Sequence, residues 1–187
     1  MKEPAQSANN ASAGEDLCNA CGLCCNGVIF ADVQLRARDD AARLRALGLL
    51  FKSSGVADRK ARFLQPCAAH EGCRCAIYSE RPEYCREFDC ALLKGFKAGR
   101  TAKPAALRII QLALDRAGRV AHLLRKLGNT EETLALGARF RRTARRLERV
   151  TQDEATAASF AQLTLAMHSL NRLLAEKFYP GQPSQSP

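Results

Sequence analysis

The C-terminal half of the chain alternates apolar and polar positions with the period of helices that bury one face. From Thr101 onward, apolar residues recur every three or four positions. Pro104 suits the first turn of a first helix, which is predicted to end at Gly128. The predicted buried stripe of this helix is Leu107, Ile110, Leu114, Ala117, Ala121 and Leu124.

Two further helices follow with the same spacing. Asn129 with Glu132 resembles a capping box for the second helix, and Thr151 with Glu154 resembles one for the third. The second buried stripe is predicted at Leu136, Phe140, Leu147 and Val150, and the third at Phe160, Leu163, Met167, Leu170 and Leu174. Three antiparallel helices are therefore predicted in this half of the chain.

The N-terminal half has shorter apolar runs, which indicate strands and turns. Strands are predicted at 27–35, 60–65 and 73–78. A short helix closed by Gly48 is predicted within 39–50, and 68–72 is predicted to be a loop. Residues 81–82 are predicted to open a helical turn that carries both Cys85 and Cys90.

These patterns predict an α+β fold, in which a small cysteine-rich module with short strands precedes a mostly helical region. We expect a disordered lead-in over 1–15 and the cysteine module over 16–98. A basic helical bundle is expected over 99–179, followed by a flexible tail over 180–187.

The composition is that of a globular protein, since 47% of the 187 residues are hydrophobic and 26% are charged. The first residues lack the apolar run of a signal peptide, and no window reaches the roughly 18 consecutive apolar residues of a membrane span. We therefore expect a cytoplasmic protein without membrane contact, in a compartment that keeps thiols reduced. A missing leader would bring disulfides back as an interpretation of the cysteines.

The net charge of +10 comes from one stretch of the chain. Residues 94–150 hold 15 Lys or Arg against 4 Asp or Glu. The arginines of the second predicted helix that fall on one side are Arg139, Arg142, Arg146 and Arg149, with Arg141 and Arg145 beside them. This 139–149 basic face is predicted either to bind nucleic acid or an acidic protein, or to be a solvated helix face.

Nine cysteines fall in two groups. Cys18, Cys21, Cys24 and Cys25 form a C-x2-C-x2-C-C run, within which Gly22 lets the backbone wrap closely. The second group is Cys67, Cys73, Cys75, Cys85 and Cys90. Thiolates are soft ligands that favour zinc and iron–sulfur clusters. Three thiols at x2 spacing resemble the run that wraps a [4Fe–4S] cluster in ferredoxins, so an iron–sulfur cluster is favoured over zinc.

Further motifs accompany these cysteines: C-x2-C-G-x-C-C, Pro66-Cys67, Cys75-Ala76-Ile77-Tyr78, Arg81-Pro82 and Cys85-Arg86-x-Phe88-x-Cys90. Together they resemble the CxxCxxCC cysteine-cluster family, or YkgJ-type "putative zinc- or iron-chelating" domain, over about residues 16 to 92. One branch, a more distant relative, comprises flagellin lysine N-methylases. The resemblance implies metal ligation by Cys18, Cys21, Cys24, Cys25, Cys67, Cys75, Cys85 and Cys90. Cys73 lies outside the pattern and is a spare ligand, a redox-active thiol or a bystander.

Other residues near the cysteines leave alternatives open. His70 is either a ligand in a mixed zinc site or a solvated loop residue. Arg81 and Arg86 either neutralise thiolates and sulfides or make ordinary salt bridges. Tyr78 and Phe88 are predicted to shield the centre from water.

Metal binding with a structural or redox role is the function predicted first. Because metal binding and folding are coupled in small metal modules, metal removal is expected to unfold residues 16–92. One alternative is a protein-modifying enzyme related to the lysine N-methylases, with a structural metal module, although the sequence shows no cofactor motif for it. A second alternative is a nucleic-acid-binding adaptor that uses the 139–149 basic face.

Overall fold

The computed structural model of the chain describes residues 14, 16–52, 61–72 and 74–179. Nearly all of the predicted lead-in, the predicted tail and Cys73 lie outside these residues.

Short elements make up the described N-terminal half. They are the helical segment 16–21 (α1), Asp32–Gln34 (β1), Ala41–Ala46 (α2), Arg62–Leu64 (β2), His70–Glu71 (β3), Arg74–Cys75 (β4), Glu83–Glu87 (α3) and Ala91–Lys97 (α4). A 3₁₀ turn, Tyr78–Glu80, lies between β4 and α3. Three long helices follow, Lys103–Lys126 (α5), Leu136–Leu147 (α6) and Glu154–Lys177 (α7). The predicted α+β, mostly helical fold is confirmed.

The first pair of strands supports the packing of the N-terminal half. β1 pairs antiparallel with β2, so that Val33 lies opposite Phe63, and both side chains are buried. Lys52 and Arg62 donate hydrogen bonds to the Asp32 carboxylate at 2.5 and 2.8 Å. The strands predicted at 27–35 and 60–65 are therefore present, but each is three residues long.

The second pair of strands corrects a predicted loop. β3 pairs antiparallel with β4, which places His70 opposite Cys75 and Glu71 opposite Arg74. The loop predicted at 68–72 is therefore wrong for His70 and Glu71, because their backbones pair in a hairpin. The strand predicted at 73–78 is shortened to β4, since the chain turns at 76–77 before the 3₁₀ segment.

Local chemistry explains where α2 and α5 begin and end. The Asp40 side chain accepts a hydrogen bond from the Arg43 amide at 2.9 Å, as an N-cap residue does. Pro104 lies in the first turn of α5, and Gly128 follows the end of that helix, as predicted. The buried residues of α5 are Ala106, Ile110, Ala113, Ala117, Val120, Leu123 and Leu124. Leu107 was predicted to be buried but is 37% exposed, because the buried face of α5 passes through Ala106 and Ile110 instead.

The first predicted capping box is wrong. α6 begins at Leu136 with no side chain capping it, and the Leu136 amide donates to the carbonyl oxygen of Gly27 at 2.9 Å. Asn129 instead accepts a hydrogen bond from Arg139 Nε at 2.9 Å through its side chain. A distant backbone carbonyl therefore satisfies one of the first amides of α6, which have no acceptor within the helix.

The second predicted capping box is wrong by two residues. Asp153 caps α7 and accepts a hydrogen bond from the Thr156 amide at 2.7 Å, so Thr151 lies outside the helix. Val150, predicted to be in the buried stripe of α6, lies beyond the end of that helix and is 54% exposed, so this part of the prediction is wrong. The stripe of α7 is closer to the prediction, since Leu163, Leu170 and Leu174 are buried.

Two clusters of buried apolar residues organise the described part of the chain. The bundle core combines apolar residues of α5, α6 and α7 with Leu17, Leu23 and Leu92. The strand core consists of Val33, Leu35, Leu44, Leu49, Ala61, Phe63, Ala69 and Ile77. The helices therefore pack onto the cysteine-rich segment itself, whereas a division into separate units near residue 98 stays a prediction.

Among the residues described, no helix is both long and apolar enough to cross a membrane.

Candidate metal centre

Seven of the eight predicted ligand cysteines border one cavity of about 120 Å³: Cys18, Cys21, Cys24, Cys25, Cys75, Cys85 and Cys90. The eighth, Cys67, is tied to this site because its amide donates to the carbonyl oxygen of Cys25 at 2.8 Å. All eight are free thiols. No group of three or more His, Cys, Asp or Glu side chains within the described ranges is already arranged around a point where a single ion would bind.

The backbone of the first motif is wound tightly. Gly22, at φ 61°, follows α1, and its amide donates to the carbonyl oxygen of Cys18 at 3.1 Å. The amides of Cys25 and Asn26 both donate to the carbonyl oxygen of Gly22 at 2.9 Å. A positive φ is the conformation for which glycine is preferred, so Gly22 makes the wrap around the cavity possible.

Gly27 docks this wrapped segment against the rest of the protein. At φ 80° its backbone already favours glycine, and a side-chain carbon there would lie 3.0 Å from the Ala135 Cα and 3.1 Å from Pro66. The carbonyl oxygen of Gly27 accepts the hydrogen bond that starts α6. A larger residue at position 27 would therefore push the cysteine segment away from α6.

The second group of cysteines comes from several short elements. Cys75 lies on β4 opposite His70, and Cys85 lies on α3. Cys90 is the N-cap of α4, and its sulfur accepts a hydrogen bond from the Leu93 amide at 3.4 Å. The prediction that Cys85 and Cys90 share one helical turn is therefore wrong, because the chain leaves α3 before it reaches Cys90.

Burial controls the protonation of these thiols. It raises the pKa of Cys21, Cys25 and Cys85 to about 12 in each case. Burial also raises the pKa of Cys24, and neighbouring thiolates raise it further. Since these thiols are protonated at neutral pH, a cation is needed to hold them together as thiolates.

The positive charge of Arg81 opposes the rise in pKa at three of the thiols. After the raising effects of burial and of neighbouring acidic groups, its charge lowers the pKa of the Cys18, Cys25 and Cys85 thiols. Its Nε donates to the carbonyl oxygen of Tyr78 at 3.1 Å, and its guanidinium lies 3.6 Å above the Tyr78 ring. Arg81 borders the cavity, as neutralisation of thiolates would require.

Arg86, unlike Arg81, lies away from the thiols. Its guanidinium donates to the carbonyl oxygen of Arg81 at 2.7 Å on the exposed side, and it does not border the cavity. Of the two arginines singled out from the sequence, only Arg81 is therefore next to the thiols.

Aromatic residues line another side of the cavity. Phe88 packs edge-on against Phe30 with ring centres 4.9 Å apart, and it stacks with Tyr84 at 5.9 Å. Phe30, Tyr84 and Phe88 border the cavity together with Tyr78. The sequence indicated Tyr78 and Phe88 but missed Phe30 and Tyr84. The position of Tyr84 directly before a motif cysteine was a usable signal, whereas Phe30 carried none.

His70 is not a solvated loop residue. It lies on β3, borders the cavity, and its Nε2 is buried with no hydrogen-bond partner among the described residues. Burial lowers the pKa of its imidazole, which keeps the ring neutral. An unpaired buried nitrogen beside a set of thiols fits a site that receives a metal or a sulfide, since either supplies the missing partner.

The 139–149 basic face is only partly available to a partner. Arg139 is 5% exposed and donates to the Asn129 side chain and backbone. Arg142 pairs with Glu131, and Arg146 donates to the carbonyl oxygen of Leu127. Arg139 therefore belongs to the interior, contrary to the prediction. Contact of the remaining arginines with nucleic acid or an acidic protein stays a prediction.

Thiols from two separate stretches of sequence are gathered at one cavity, an arrangement typical of cysteine-rich metal-binding modules. Residues 17–106 match the model of the family described as "CxxCxxCC: Putative zinc- or iron-chelating domain". This confirms the predicted resemblance over residues 17–106 to a family to which a zinc- or iron-chelating role is attributed. No curated protein and no solved structure matched the chain. A lysine N-methylase activity stays a prediction.

Proposed function

We propose that the protein binds an iron–sulfur centre through Cys18, Cys21, Cys24, Cys25, Cys67, Cys75, Cys85 and Cys90, in a structural or redox role. The observation that carries this proposal is the cavity bordered by seven of these thiols. Four thiolates complete one zinc ion or one [4Fe–4S] cluster, so the eight thiols exceed what one such centre needs, and the choice between the metals rests on the cavity and the cysteine spacing.

The size of the cavity also favours a group of several atoms. A water molecule requires about 10–15 Å³ of such volume, and this cavity measures about 120 Å³. A single ion would leave most of that space empty, whereas a polynuclear iron–sulfur group would use it. The run Cys18, Cys21, Cys24 supports the same choice, because its spacing resembles the cluster-wrapping run of ferredoxins.

The surroundings of the thiols suit such a centre. The aromatic residues that border the cavity and the bundle core limit water on one side of the thiols. Arg81 supplies positive charge beside them. When bound, an iron–sulfur group would supply one-electron redox chemistry. The chain's own contribution is to hold the thiols, limit solvent access and balance their negative charge.

Anaerobic purification followed by metal and sulfide analysis tests the proposal. We expect a brown protein with absorbance near about 400 nm, and iron and acid-labile sulfide in similar amounts. The Cys73→Ser variant is the matched control, since it removes the one cysteine outside the family pattern and should keep colour and iron. Colourless wild-type protein with stoichiometric zinc would overturn the iron–sulfur assignment.

A further inference from the structure

We propose that the eight cysteines form two four-thiolate sites that lie side by side. The first set is Cys18, Cys21, Cys24 and Cys90, and the second set is Cys25, Cys67, Cys75 and Cys85. This inference rests on the proposed metal-binding function and states how its ligands are divided. Four thiolates complete either a [4Fe–4S] cluster or a structural zinc site, so the division holds for both metals.

The packing of the thiols supports the division. Cys21 and Cys90 pack against the bundle core, together with Leu17, the neighbour of Cys18. Cys67, Cys75 and Cys85 pack against the strand core. The two sets are therefore held by different groups of buried residues, which come from different parts of the chain.

The adjacent residues Cys24 and Cys25 are the point where the sets meet. Cys24 lies near Tyr179, which packs against the bundle core. The backbone of Cys25, in contrast, is joined to Cys67 by the 2.8 Å hydrogen bond. Side chains of consecutive residues point in different directions, so one of this pair serves each set.

Two residues outside the sets are placed consistently. Arg81 borders the cavity together with Cys18 of the first set and Cys25 and Cys85 of the second, as expected for a cation between two anionic sites. His70 lies opposite Cys75 in the hairpin, so its unpaired Nε2 belongs beside the second set.

The two sets are separated experimentally with one variant in each. Cys18→Ser removes an exposed thiol of the first set, and Cys85→Ser removes a half-buried thiol of the second. Each protein is purified anaerobically and analysed for iron, zinc and sulfide per chain. It is then alkylated without unfolding, and the modified cysteines are identified by mass spectrometry. Cys73→Ser again serves as the thiol-matched control.

Each variant should lose the metal of its own set only. Cys18→Ser should expose Cys21, Cys24 and Cys90 to alkylation and leave the second set as protected as in the wild type. Cys85→Ser should show the reverse pattern. His70→Gln should alter the spectrum that remains in Cys18→Ser, and not the one that remains in Cys85→Ser. Circular dichroism checks the fold, and Cys24→Ser and Cys75→Ser replace any variant that does not fold.

The outcomes distinguish this inference from the proposed function beneath it. Loss of all metal and exposure of all thiols in both folded variants would mean one shared centre, which overturns the division and keeps the metal function. Full retention of metal in either variant would also overturn it, because the mutated thiol would not be a ligand. Wild-type protein that takes up neither iron nor zinc would remove the metal function itself.

Discussion

Arg81 offers the sharpest test of how the chain supports its thiols. We expect Arg81→Met to weaken metal binding, because the substitution removes the positive charge that acts on Cys18, Cys25 and Cys85 against the effect of burial. Loss of a group that supports metal ligands from outside costs about 10- to 100-fold in affinity. This corresponds to about 1.4–2.7 kcal/mol of binding free energy.

The same substitution has a second, smaller effect that must be measured separately. The guanidinium lies 3.6 Å above the Tyr78 ring, and such a cation–π contact stabilises a fold by about 0.5–1 kcal/mol. Arg45→Met is the matched control, since the Arg45 guanidinium lies 4.5 Å above the Phe51 ring in the strand-core region and does not border the cavity. It should reduce the free energy of unfolding similarly and leave metal affinity unchanged.

Competition titrations measure the affinity under anaerobic conditions. Zn²⁺ is the probe, and a chromophoric chelator reports the free ion for the wild type, Arg81→Met, Arg81→Lys and Arg45→Met. Arg81→Lys keeps the charge and should recover part of the loss. Equal Zn²⁺ affinity in Arg81→Met and the wild type, or the same loss in Arg45→Met, would refute the role assigned to Arg81.

Three other predictions follow from the described packing. Leu163→Ala should lower the free energy of unfolding by about 2–5 kcal/mol, because Leu163 is fully buried. Leu165→Ala, at a position 70% exposed, should change it by less than about 0.5 kcal/mol. Urea denaturation followed by circular dichroism compares the two variants, and equal losses would contradict the assigned core. Asn129→Ala should cost about 1–3 kcal/mol by the same measurement, since it removes the side-chain acceptor of the hydrogen bond from Nε of the buried Arg139. No loss would mean that Arg139 Nε has another acceptor. Removal of metal by a chelator should raise hydrogen exchange in α1, β3, β4 and α3 while α5 and α7 stay protected. The reason is that the two long helices pack against each other without the thiols. Loss of protection in all of these elements alike would contradict this prediction.

The sequence alone was sufficient where the signal is local. The three- and four-residue spacing after Thr101 predicted the long helices, and Pro104 and Gly128 marked the ends of α5. The cysteine spacing predicted the family that residues 17–106 resemble, and seven of the eight cysteines carried over from that resemblance border the cavity, while their role as metal ligands stays a prediction. These features depend on the few residues next to each other in the chain, so they can be recognised without knowledge of the fold.

Errors arose where a residue had a choice of partners. Asn129 has the side chain of a capping residue, but Arg139 occupies it, and the carbonyl of Gly27 satisfies the α6 amide instead. His70 looked solvated because its strand partner, Cys75, is part of a hairpin too short to give an alternating pattern. In both cases a competing partner elsewhere in the chain decided the outcome.

The order of residues was therefore enough to show where the helices and the spaced cysteines lie along the chain. The residues that surround the cysteines were decided by the packing of the folded chain. Helical period and cysteine spacing are properties of consecutive residues. The two buried cores, the inward turn of Arg139 and the position of Arg81 next to both groups of thiols depend on contacts between segments far apart in the chain. Such contacts form only when burial of apolar surface brings those segments together, and no local pattern records which segments will meet.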